Sequence, residues 1–124
     1  MATKSTALRN AQADGLVANL DKIEVLDTNG NVLGTGTVSW TSASSGEVDF
    51  SSDVDVTGNS NAGGGTDITE ARVFDSGSTG EEISGITVTQ TGNGGDIELP
   101  NTNIADGQTM TITSLAITEP GTTQ

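Results

Sequence analysis

Glu47, Asp49, Asp53 and Asp55 place four carboxylates at alternating positions of one short stretch. Paired carboxylates hydrolyse glycosidic bonds when one, held protonated, faces a second across a cleft. Such sites also present aromatic platforms to the sugar, and this chain has one Trp, two Phe and no Tyr. The row therefore reads as the solvated face of a strand. The run from Asp27 through Asn29 to Asn31 matches the opening of a calcium loop, but Val32 stands where the required Gly belongs and Val38 where a bidentate Glu belongs. A hairpin turn accounts for the same residues, and a calcium site of another kind on the acidic face is the alternative. Gly63 to Gly65 and Gly92 to Gly95 lack the spacing of phosphate-binding loops and read as loop tips.

The chain has no Cys and no His. Thiol nucleophiles, imidazole bases and Cys/His metal cages are excluded with them, and no serine has a histidine to activate it. The expectation is a protein that binds rather than reacts, with no catalytic residue, no cofactor and no metal.

The elements that hold these residues must be built from little apolar material. Leu, Ile, Val and Phe make up 26 of 124 residues, just above the composition at which disorder becomes the default. Their alternation argues for a folded domain with a small core. Threonine, with 20 residues, suits strands through its branched Cβ and keeps their outer faces wet.

Residues 6–20 predict a short helix, with hydroxyl caps before it and Ala13, Leu16, Val17 and Leu20 on one stripe. From residue 22 the period becomes two. Strands are expected at 22–28 and 32–40, joined at Asn29-Gly30 by a type I′ turn. The clearest runs over 47–57, with Val48, Phe50, Val54 and Val56 on one face and the four acids on the other. A flexible loop is expected over 58–66 and further strands at 68–75, 83–90, 97–99 and 109–118. In the last, the apolar set slips from even to odd positions, predicting a bulge or bend near Ser114. The expectation is an all-β fold, an antiparallel β-sandwich or jelly-roll-like domain over 22–124, with an N-terminal arm or helix over 1–21.

Charge divides at the same point. The formal net charge is −13, yet residues 1–22 carry +1 and the remainder −14. Such a body repels nucleic acid and anionic membranes. The first residues lack the apolar run of a signal peptide, so synthesis in the cytoplasm of the cell is expected.

The opening, Ser5 to Ala11 continuing through Ala13, Asp14, Leu16 and Val17 to Leu20, resembles that of a group of small tailed-bacteriophage virion proteins. The close, Ile104 to Pro120, is similar to the end of the same group. The resemblance covers about a third of the chain and carries over no mapped site residue. It implies a short β-rich structural protein of the virion, a capsid decoration (cement) protein on the major capsid protein, and a homo-oligomer such as a trimer at the capsid surface. A tail or head–tail joining component is the alternative. A carbohydrate- or receptor-binding β-sandwich is the alternative of another class, disfavoured by the scarcity of aromatics. The charge split makes Lys4, Arg9, Leu16 and Leu20 the expected partner-binding residues, with the N-terminal helix docking outside its own sheet.

Overall fold

Ser5 starts the helix. Its Oγ accepts a hydrogen bond from the Leu8 N–H at 3.1 Å, and Thr6–Val17 then runs as α1. It stops three residues short of the expected end, and the Leu20 N–H closes a last turn onto the Val17 carbonyl. The computed structural model describes residues 2–119, so the last five residues of the expected 22–124 domain lie outside it.

Eleven short strands follow: β1 (Lys22–Leu26), β2 (Val32–Thr37), β3 (Glu47–Val48), β4 (Val54–Gly58), β5 (Thr66–Asp67), β6 (Glu70–Phe74), β7 (Glu82–Gln90), β8 (Ile97–Leu99), β9 (Asn103–Ile104), β10 (Thr109–Ile112) and β11 (Ile117–Thr118). Seven form one sheet in the order β10-β4-β2-β1-β6-β7-β8. Its pairs are antiparallel except β7 with β8, which run parallel. Two ribbons, β3 with β11 and β5 with β9, complete the fold. The fold is all-β with one short N-terminal helix. The sheet is strongly curled, since its two end strands line a common cleft.

Period two decides what goes inside. Ile23 and Val25 from β1, Val54 and Val56 from β4, and Ala71 and Val73 from β6 are all buried, with polar residues between them facing out. Ala13, Val17 and Leu20 enter the same apolar cluster, so α1 packs on its own sheet. Among the described residues no polar or charged residue is buried, which leaves the core free of desolvated polar groups.

Local expectations fail where a side chain competes for the backbone. The turn after β1 is a three-residue loop, not a type I′ turn: Gly30 has φ +82°, while Asn29 keeps a negative φ. Asp27 selects this shape, because its carboxylate accepts from the backbone N–H groups of Asn29 and Asn31, each at 2.9 Å. The strand expected over 47–57 is broken between β3 and β4. Asp49 turns its carboxylate onto the Phe50 N–H at 2.7 Å and the Leu115 N–H at 2.8 Å, which bends the chain. The glycine-rich stretch 58–66 is an organised turn, with a 3₁₀ segment at Ser60–Ala62 and both Asn59 and Asn61 donating to the Val32 carbonyl. The strand expected over 109–118 is interrupted at 113–116, around Ser114, so that β10 pairs with β4 and β11 with β3.

Candidate functional site

The two faces of α1 do different things. On its inner side Arg9, Asn10 and Asp14 reach the tight turn between Ser44 and Glu47. Asn10 Oδ1 accepts from the Gly46 N–H at 2.7 Å, and Asp14 Oδ1 accepts from the Ala43 N–H at 2.8 Å. The turn needs a left-handed backbone, with φ +52° at Ser45 and +77° at Gly46. Glycine suits this φ, and a Cβ at Gly46 would lie 2.8 Å from Arg9 Nε, so a larger residue would push the guanidinium aside. The end of the described chain closes over the same turn. The Glu119 N–H donates to the Gly46 carbonyl at 2.7 Å, Arg9 Nε donates to the Glu119 carbonyl at 3.1 Å, and Lys4 Nζ donates to Glu119 Oε1 at 2.7 Å. Trp40 fixes the floor of this corner. Its Nε1 donates to the Leu20 carbonyl at 2.8 Å, and its ring packs on Phe50 at a centroid distance of 5.1 Å.

These contacts place the four residues expected to bind a partner. Lys4 and Arg9 are spent on holding Glu119, and Leu20, only 3% exposed, belongs to the core. The apolar stripe faces the chain's own sheet because its Ala13, Val17 and Leu20 fill the space beside it. Of the four expected partner-binding residues, Leu16 is exposed, Lys4 and Arg9 are half-buried and Leu20 is buried.

The outer face is free. Ala7, Leu8, Ala11, Gln12, Gly15 and Leu16 are all exposed, and none is charged. Leu8 is 48% and Leu16 43% exposed, the two large apolar side chains left in water among the described residues. Eight positions apart, they stand about 12 Å from each other along the axis and about 80° apart around it, at the two sides of this face. Leu8 was not among the expected residues; the spacing of four through Leu8, Gln12 and Leu16 is the signal that marks it. Beyond Leu16 the surface dips into a hollow of about 340 Å³ bounded by Leu20, Glu81, Glu82 and Ile83.

The four acids first considered for chemistry do not converge. Glu47, Asp53 and Asp55 are exposed, and Asp49 is half-buried as the clamp at the bend. Among the described residues no three acids are placed to hold a metal ion. Where carboxyls are perturbed, turns are the cause. Asp21 is lowered by hydrogen bonds from the Ser76 hydroxyl and N–H, Asp27 by the Asn31 side chain and N–H, and Asp75 by the Thr79 hydroxyl and the Gly77 N–H. Arg72 is held further above its usual range by hydrogen bonds to Glu82 and Glu24, and its guanidinium lies 4.3 Å from the centre of the Phe74 ring. Each perturbation has a structural partner that consumes it.

No protein-family model matches the chain, and no curated protein or solved structure matches it significantly.

Proposed function

We propose that the chain is a non-catalytic virion component, a decoration protein that sits on the major capsid protein of a tailed phage through the outer face of α1. The observation that supports this reading is an uncharged helix face carrying Leu8 and Leu16 on a molecule of net charge −13. On this face an approaching surface meets the side chains of Leu8 and Leu16 and no charge, and burying one leucine contributes roughly 1.5–3 kcal/mol. Proteins place apolar patches rimmed by polar residues where a partner covers them. A small acidic body then projects into solvent and keeps decorated particles apart by repulsion. The phage assignment itself rests on the resemblance at the two ends of the sequence.

Copy number on gradient-purified tail-less capsids tests it. Decoration expects many copies per capsid, and addition of the purified chain to undecorated shells should restore them. Leu8→Asp with Leu16→Asp should abolish addition and leave the melting temperature unchanged, since both side chains lie outside the core. Normal occupancy by this folded variant would reject α1 as the attachment face, and absence of the wild-type chain from tail-less capsids would reject decoration.

A further inference from the structure

The seven-stranded sheet ends at β8 on one side and β10 on the other, and these two edges line one cleft of about 490 Å³. The edges differ. β8 has three residues, carries Glu98 and runs into Pro100, the usual ways of blunting an edge. β10 has four residues, with Thr109 and Thr111 exposed and no Lys or Pro.

The phase of its hydrogen bonds leaves β10 open. The Gly58 N–H donates to the Gln108 carbonyl, so in this antiparallel register the bonded pairs with β4 are Met110 with Val56 and Ile112 with Val54. Thr109 and Thr111 are the non-bonded pairs, opposite Thr57 and Asp55. Their side chains confirm the phase: Thr109 Oγ1 lies 3.2 Å from Thr57 Oγ1, and Thr111 Oγ1 donates to Asp55 at 2.8 Å. The main-chain N–H and C=O groups of Thr109 and Thr111 therefore point away from β4, at the side where the sheet ends. The opposite wall brings Asp96 and Glu98, each of which accepts within the fold through one carboxylate oxygen, Asp96 from the Thr87 N–H and hydroxyl and Glu98 from the Gly94 N–H.

We propose that this edge takes an extended, lysine- or arginine-bearing segment of a partner polypeptide as an added strand. The main chain of the segment pairs with Thr109 and Thr111, and its basic side chains lie against Asp96 and Glu98. Charge selects the occupant. A second copy would bring another net charge of −13, and all four basic side chains of this chain hold contacts within the fold, Lys4 and Arg9 at Glu119, Lys22 at Thr37, and Arg72 between Glu24 and Glu82. Leu99 and Pro100 give the cleft an apolar part, but an apolar segment would also leave Asp96 and Glu98 without a cation. The site shares no residue with the outer face of α1.

The test titrates the full chain with a ten-residue peptide of alternating Thr and Lys, and with its Thr and Glu counterpart, reading amide exchange by NMR. The Thr/Lys peptide should slow exchange at Thr109 and Thr111 at least tenfold, and the Thr/Glu peptide should not. Thr111→Pro removes an N–H outside the β4 ladder together with the hydroxyl bond to Asp55; measured against Thr111→Val, which loses that hydroxyl alone, it should keep the melting temperature and weaken binding at least tenfold. Asp96→Asn with Glu98→Gln keeps the oxygen acceptors and should weaken binding several-fold at low salt. Equal binding of both peptides, unchanged exchange at both threonines at saturating Thr/Lys peptide, or full affinity in folded Thr111→Pro would overturn the proposal.

Discussion

The centre of the sheet and the corner beneath α1 are held by different forces. In β1 and β6, Ile23, Val25, Ala71 and Val73 are fully buried, and cross-strand pairing repeats without interruption along five residue pairs. Removal of apolar area from water dominates there and tolerates small errors of direction. The corner has two-residue strands, β3 and β11, too short to hold themselves. Its shape comes from directed bonds, with Asn10, Asp14 and Glu119 all meeting the 43–46 backbone. Neutral hydrogen bonds contribute about 0.5–1.5 kcal/mol each, so the corner depends on several being made together. The sheet is a store of stability; the corner is a device for setting where α1 sits, and through it where Leu8 and Leu16 point.

The largest loss of stability is expected from Ile23→Ala. It removes a fully buried side chain from a central strand and should cost about 2–5 kcal/mol in urea unfolding, with the denaturant slope unchanged. A loss under about 1 kcal/mol would mean that the sheet centre is not where stability resides.

Gly46→Ala probes the corner with the smallest possible change. A left-handed conformation costs a non-glycine residue roughly 1–2 kcal/mol, and the new methyl must also displace the Arg9 guanidinium. The expected total is about 1–3 kcal/mol, below that of Ile23→Ala. Its distribution sharpens the comparison: amide exchange should accelerate at Gly46 and Glu119 far more than at Val25. Equal acceleration at all three would make corner and sheet one cooperative unit.

What was legible in the sequence follows the same division. Apolar alternation is a local signal, so the strands at 22–26, 54–58 and 97–99 and the interruption near Ser114 could be read from neighbouring residues. The Ser5 cap and the β1–β2 turn position were equally local. The corner was not. Lys4 and Arg9 look free along the chain because their partner, Glu119, is 115 and 110 positions away. Asp49 looks like one of four solvated acids, yet its carboxylate holds a backbone N–H 66 residues on. The parallel pairing of β7 and β8 follows a connection of six residues, where parallel strands ordinarily need a dozen or more, so strand order could not be anticipated there. For the candidate site, the stripe of Ala13, Leu16, Val17 and Leu20 was visible, but which side of it met the core depended on the sheet. Leu16 fell outside and its neighbours fell inside.

The smallest expected effect lies in the turns that bound the sheet, and it separates their chemistry from that of the core. With no His and no Cys, no side chain of ordinary pKa titrates between about pH 5 and 8. Melting temperature should be nearly flat over that range. Asp27, lowered by bonds from Asn31, and Asp75, lowered by bonds from Thr79 and Gly77, then act on the acid side. A carboxyl whose folded pKa lies below its unfolded value of about 3.9 stabilises fully above that value, and the contribution is lost as pH falls through the folded pKa. Stability should therefore decline from about pH 4 downward, opposed by the easing of repulsion as the remaining acids protonate. Asp27→Asn isolates one term, because Asn keeps an oxygen acceptor and removes the charge. The variant should melt below wild type at pH 7, and the gap should close as pH drops past the folded pKa of Asp27, where wild type has lost the same charge. A gap that stayed constant down to about pH 2 would assign the effect to side-chain geometry rather than ionisation, and the turns would then be held, like the corner, by direction alone.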